Sequence, residues 1–192
     1  MIESGSAGVV PESTFNINRI RRDFPILARE VHGKPLIYFD TAASAQRPLA
    51  VIGAVDDFYR KHNANVHRGV HTLSQEATDL YEGGRRKLAQ LINAPSEREV
   101  IFTRGTTESI NLVAQSFLRP KLKSGDEILV THMEHHSNIV PWQILCQQTG
   151  AQLRVVPINQ RGELEMGALD GLLSERVKML ALSPIILGRL WS

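Results

Sequence analysis

Asp126-Glu127-Ile128-Leu129-Val130-Thr131 decides the fold: an acidic start, three aliphatic residues in a row and a β-branched end. Such a run suits a strand covered on both faces better than one facing water. The alternation then repeats. Residues 139–148 read as a helix closed by Gly150, 153–157 as a strand, 166–173 as a helix and 178–182 as a last strand. Before the central run, residues 99–103, which contain Val100-Ile101-Phe102, read as a strand and 107–117 as a helix. Strands alternating with helices of this length predict an α/β layer, a mainly parallel sheet with helices on both faces. Nearer the N-terminus, residues 16–24 predict a short amphipathic helix stopped by Pro25, and 36–40 a short strand. Pro48 opens a helix to about residue 61 with Val51, Val55, Phe58 and Tyr59 on one face. Another helix runs from Thr72 or Ser74 to Ile92, weakened at Gly83-Gly84.

Composition narrows the function classes. The 22 basic and 20 acidic residues are interspersed and give a net charge of +2, so no basic stripe marks a nucleic-acid binder. No apolar run approaches the roughly 18 residues of a membrane span. Residues 1–15 are Gly/Ser-rich at their start, lack a secretory signal and read as a disordered tail. The single cysteine, Cys146, rules out an internal disulfide and fits a reducing cytoplasm. Its place in a helix favours a small buried hydrophobe over a nucleophile.

Three stretches carry chemistry. Arg104-Gly105-Thr106-Thr107-Glu108 joins a strand to a helix. Two hydroxyls, free N–H groups and the positive end of a helix dipole make a phosphate cradle, and a plain threonine helix cap is the alternative. His132-Met133-Glu134-His135-His136 invites a metal reading. It lacks the H-E-x-x-H spacing, and Pro141 leads into Trp142 rather than a Cys-x-x-Cys pair, so no metal site is expected. A histidine stacked on an aromatic cofactor fits better, against the alternative of an ordinary loop histidine. In the loop Asn65-Val66-His67-Arg68-Gly69-Val70-His71, the planar charge of Arg68 suits a carboxylate or phosphate. Asp40-Thr41-Ala42-Ala43-Ser44 packs small residues where backbone approaches a ligand or a neighbouring segment.

Four segments, taken in order, carry a family resemblance. They are Phe39-Asp40-Thr41-Ala42-Ala43-Ser44-Ala45-Gln46, Val66-His67-Arg68-Gly69-Val70-His71-Thr72-Leu73-Ser74, Phe102-Thr103-Arg104-Gly105-Thr106-Thr107-Glu108-Ser109-Ile110-Asn111 and Met133-Glu134-His135-His136-Ser137-Asn138-Ile139-Val140-Pro141-Trp142. Together they resemble the N-terminal half of a cysteine desulfurase of the sulfur-mobilisation branch, a class V aminotransferase of fold type I. The resemblance implies a partial, truncated large domain over residues 16–182, followed by an out-of-family tail at 183–192. It implies pyridoxal 5'-phosphate as cofactor, with Thr106 and Thr107 on its phosphate and His135 stacked on its ring. Glu134 and His136 would support that loop, while Ala43, His67 and Arg68 would lie near substrate or the dimer partner. The implied reaction converts L-cysteine to L-alanine and leaves a persulfide on a protein cysteine. A sulfur-acceptor protein, iron–sulfur cluster assembly and a homodimer follow from the same resemblance, and the expected location is the cytoplasm. Selenocysteine lyase or another class V aminotransferase, and a non-catalytic dimerisation fragment, are the alternatives.

The resemblance also has gaps. The six lysines (Lys34, Lys61, Lys87, Lys121, Lys123 and Lys178) lie outside the matched motifs, and Cys146 does not match the family's catalytic cysteine. No residue maps onto the family's cofactor-linking lysine, so covalent attachment through it and turnover by this chain alone are not expected. After Leu182 the family reads Ser/Thr-His-x-Ser-Asn-x-Leu-Gly, whereas this chain reads Ser183-Pro184-Ile185-Ile186-Leu187-Gly188. The abrupt change suggests a frameshift near codon 183. The apolar ending predicts poor solubility of the isolated chain.

Overall fold

The computed structural model describes residues 16–183, so the expected tails at 1–15 and beyond 183 lie outside the described residues. The chain divides into two compact units, Met1–Val100 and Ile101–Ser192.

In the first unit, Asn16 caps α1 (Ile17–Arg22) by accepting the Arg19 N–H at 3.0 Å. Pro25 then begins a single 3₁₀ turn, Pro25–Ala28. A small antiparallel hairpin pairs β1 (Glu30–Val31) with β2 (Lys34–Pro35). The Asp23 carbonyl accepts the Leu49 N–H at 2.7 Å and fastens the start of α2 (Leu49–Asp57) to the end of α1. Pro48 sits just before this helix in extended backbone, and the last turns widen into a π turn, Phe58–His62. The expected stripe of Val51, Val55, Phe58 and Tyr59 forms and borders an apolar hollow of about 460 Å³. The long α3 (Thr72–Leu91) runs unbroken through Gly83-Gly84. Arg85 braces it, donating to Glu82 at 3.0 Å and to the Val100 carbonyl, with its guanidinium 5.1 Å from the Tyr81 ring.

The second unit holds the parallel sheet. Its strands are β3 (Glu127–Thr131), β4 (Gln152–Val156) and β5 (Val177–Ala181), in the order β4-β3-β5 with both pairings parallel. Every residue of β3 is buried, so both faces of the central strand are covered. Three helices belong here: α4 (Thr106–Leu112), which continues as a π turn over Val113–Leu118, α5 (Val140–Thr149) and α6 (Met166–Leu172). The core joins Ala114 and Leu118 to Ile128, Val130, Trp142 and Leu145. Gly150 ends α5 in the left-handed region at φ 76°, where a Cβ would stand 2.9 Å from Ser124 Oγ.

Two expected strands do not form. Residues 36–40 have no ladder, and Ile37 and Phe39 are 76% and 92% exposed. Tyr38 instead donates to the Ser44 carbonyl at 2.6 Å, folding the segment into a turn. Residues 99–103 leave the 3₁₀ turn Glu97–Glu99 without joining a sheet. An apolar run becomes a strand only where a neighbour takes its N–H and C=O groups, and among the described residues none does.

Leu145, fully buried on α5, anchors this core. Leu145→Ala is expected to lower unfolding stability by about 2–5 kcal/mol, read from urea denaturation.

Candidate cofactor site

Neither threonine of the Thr106-Thr107 pair caps its helix. Gly105 holds the cap position of α4, and no side chain caps it. The first N–H groups of a helix have no partner within it, and the two hydroxyls make no protein hydrogen bond among the described residues. The plain-cap reading of these residues is therefore corrected: a glycine took the cap and left both hydroxyls unused. Ser109 straps the preceding loop to the helix, its Oγ 2.7 Å from Thr103 Oγ1. Glu108 folds back onto the residue before the cap and accepts the Arg104 N–H at 2.6 Å and its guanidinium at 3.0 and 3.2 Å. The Arg104 partner holds the Glu108 carboxyl below its ordinary range. An acid in the first turn is thus matched by a cation and does not oppose an anion there.

Beyond β3 the chain forms the short turn His136–Asn138, which packs against α4. His135 precedes it, and its Nδ1 accepts the Ser137 N–H at 3.2 Å and lies 2.9 Å from Ser137 Oγ. With Nδ1 accepting, the neutral ring carries its proton on Nε2. The ring is therefore oriented by the backbone of the following turn. His136 meets it edge to face at 5.8 Å between centroids.

Glu134 is the buried centre of this region, only 8% exposed. Its carboxylate accepts from Thr131 Oγ1 at 2.6 Å, Asn138 Nδ2 at 2.8 Å, the Ser183 N–H at 3.0 Å and Ser183 Oγ at 2.9 Å. Asn138 in turn accepts the Trp142 indole N–H at 3.0 Å. Burial alone would raise the Glu134 pKa, but these donors outweigh it and hold the group below the usual carboxylate range. Glu134 thus supports the loop as expected. Neither Asn138 nor Ser183 was given a role in the sequence; Asn138 lay inside a quoted motif, and Ser183 stood at the family's Ser/Thr position but was counted with the tail.

The remaining site residues belong to the first unit. Ala43 sits in a turn, its N–H donating to the Asp40 carbonyl at 3.2 Å. His67 adopts φ 61°, held by its N–H on Thr78 Oγ1 and its ring Nε2 3.0 Å from Glu82. Ser74, buried at the start of α3, accepts the Gly69 N–H at 2.9 Å and donates to the Asn65 carbonyl at 2.6 Å. A Cβ on Gly69 would meet Ser74 Cβ at 2.6 Å, so the loop closes this tightly only with glycine. Arg68 is exposed and lines a hollow of about 520 Å³ with Asn63, Asn65 and His71.

Cys146 lies in the core beside Trp142 and Leu145, and burial pushes its thiol pKa up. It is the small buried hydrophobe its helix position predicted. Among the described residues no group of three potential metal ligands occurs, and no helix is long and apolar enough to cross a membrane. The second unit's lysines flank the other end of the strands: Lys121 and Lys123 precede β3, and Lys178 near the start of β5 lies 3.9 Å from Asp126.

A parallel α/β sheet, with a histidine turn beyond its central strand packed on α4, agrees with the partial fold-type-I arrangement that the resemblance implies. The aminotransferase class-V family matches residues 37–186, and the chain belongs to that family. A cysteine desulfurase of Cronobacter sakazakii is 55% identical over 172 residues, covering 90% of this chain and 42% of that protein. The cysteine desulfurase CsdA of Escherichia coli superposes with a TM-score of 0.71 at 42% identity, covering 88% of this chain and 41% of its own. The apo cysteine desulfurase of Thermococcus onnurineus gives a TM-score of 0.79 at 38% identity, covering 88% and 40%. The chain thus spans about 42% of the length of its curated relatives.

The lowered Glu134 pKa sets the sign of a pH effect. Its stabilisation is fully present above the unfolded carboxylate value of about 4.3 and is lost as pH falls through the lower folded value. Urea unfolding across pH 3 to 7 is expected to show a steeper acid loss for the wild type than for Glu134→Gln. In the first unit, Ser74→Ala leaves the Gly69 N–H unpaired and is expected to cost about 1–3 kcal/mol in the same assay.

Proposed function

We propose that this chain carries the cofactor-cradling part of a pyridoxal 5'-phosphate-dependent cysteine desulfurase. One observation carries the reading: two uncommitted threonine hydroxyls at a helix start stand in the same unit as an oriented histidine whose turn packs on that helix. Thr106 and Thr107 supply hydroxyl and N–H donors for the phosphate dianion, and the helix dipole adds positive potential. His135 offers its flat face to the pyridine ring, held by Ser137 and by the Glu134 network. When bound, the cofactor supplies an electron sink for bond cleavage at the α-carbon of an amino acid.

In the whole enzyme, L-cysteine and a protein thiol become L-alanine and a protein persulfide, with the sulfur passed to an acceptor protein for iron–sulfur cluster assembly. Ala43 and the His67–Arg68 loop face the substrate or the partner subunit of a homodimer in this reading. This chain binds the cofactor without turning over. The Cys146 thiol is buried and kept protonated, so it is a poor sulfur acceptor. The lysines of the cradle's own unit sit by the opposite strand ends, away from His135.

Equilibrium dialysis of the purified chain with pyridoxal phosphate tests this. Reversible binding is expected, displaced by inorganic phosphate and not made permanent by borohydride. Thr106→Val with Thr107→Val removes the hydroxyls at constant shape and is expected to weaken binding about tenfold or more. Equal affinity in that double variant would sink the assignment of the phosphate site.

A further inference from the structure

We infer that Glu134 is a positioning residue for His135, acting through Asn138 and depending on Ser183. This rests on the cofactor reading above for its consequence, although the geometry stands without it. The carboxylate fixes the Asn138 side chain, whose other end is fixed by the Trp142 indole. The Asn138 backbone N–H then donates to the His135 carbonyl at 2.7 Å, closing the turn that presents the ring. Glu134, Asn138, Thr131 and Trp142 are each less than 9% exposed, so water does not substitute for a lost partner cheaply.

The remaining two donors come from far along the chain. Ser183 lies 49 residues after Glu134, just beyond β5, and gives the carboxylate both its N–H and its hydroxyl. The end of β5 is therefore tied to the histidine turn through one charge. No arginine, lysine or histidine pairs with that carboxylate among the described residues; neutral donors alone satisfy it. A charge held in this way is sensitive to each donor, because the loss of one is not offset by Coulomb attraction. The ring contact and the phosphate contact are separable, since Thr106 and Thr107 make no bond to this network.

The test compares wild type, Glu134→Gln and the milder Ser183→Ala in the full chain, with two readouts. The first is the nitrogen spectrum of the His135 imidazole by NMR. A single Nε2–H form is expected in wild type and averaged tautomers in both variants. The second is affinity for pyridoxal phosphate against inorganic phosphate. Glu134→Gln is expected to weaken the former about tenfold, and Ser183→Ala about threefold, with inorganic phosphate binding unchanged. An unaltered His135 spectrum in both variants overturns the inference. Equal loss of both ligands also overturns it, because that marks collapse of the site rather than misplacement of the ring. If wild type binds no pyridoxal phosphate while the His135 spectrum still responds, the proposed function fails and the positioning role stands. If Glu134→Gln does not fold, Ser183→Ala decides alone, because it removes one hydroxyl and leaves the carboxylate and its backbone donor in place.

Discussion

A carboxylate taken out of water must find donors or give up its charge, and Glu134 finds four of them in three segments. One comes from the last residue of β3, one from the turn that follows His135, and two from the chain just past β5. The two parallel strands end side by side, so their outgoing chains leave in the same direction and a short acid can collect both. Open α/β sheets place ligands beyond the carboxyl ends of their strands, and here that edge is fixed by one buried ion. The His135 turn closes on its own backbone and packs on α4 beside this carboxylate. Removing a donor would leave a buried charge with fewer partners rather than a small void.

The other half of the cradle uses the opposite strategy. Helix starts usually spend a serine, threonine or aspartate on their own N–H groups. At α4 glycine takes that position, and the helix gives up the cap that the next two residues are chemically suited to supply. The strap from Ser109 to Thr103 and the fold-back of Glu108 onto Arg104 hold the loop instead. Local stability is thus provided by residues other than Thr106 and Thr107, whose hydroxyls make no hydrogen bond among the described residues. One edge of the proposed site is saturated with hydrogen bonds, and the other is not.

Much of the second unit was legible in the sequence because its signals are local. Ile128-Leu129-Val130 reads as a covered strand whatever surrounds it, and Gly150 marks a left-handed helix end by its lack of a Cβ. The helix starts at Asn16 and Thr72 were legible for the same reason. Residues 36–40 and 99–103 misled because an apolar run specifies only that a strand is permitted; the ladder needs a neighbour, which pattern alone does not supply. At the site, the Thr106-Thr107 pair was readable as cap or cradle, and the position of Gly105 removes the cap. Ser183 was invisible for a different reason. Its role is a contact across 49 residues, and nothing in Leu182-Ser183 points back to Glu134.

Binding a cofactor and using it make different demands on a chain. Binding needs donors of the right charge and a surface for the ring, and the proposed site draws both from the second unit, where the His135 turn packs on α4. Use needs a nucleophile in its reactive form at that same edge. The described chain holds its one cysteine inside the core, where desolvation favours the neutral thiol, and the unit's lysines flank the far ends of the strands. Neither arrangement is a small displacement from a working one, because strand direction separates the two ends of the sheet. In the proposed reading, therefore, the second unit's contribution is to hold the cofactor, because neither its cysteine nor its lysines stand at the edge where the ring would lie.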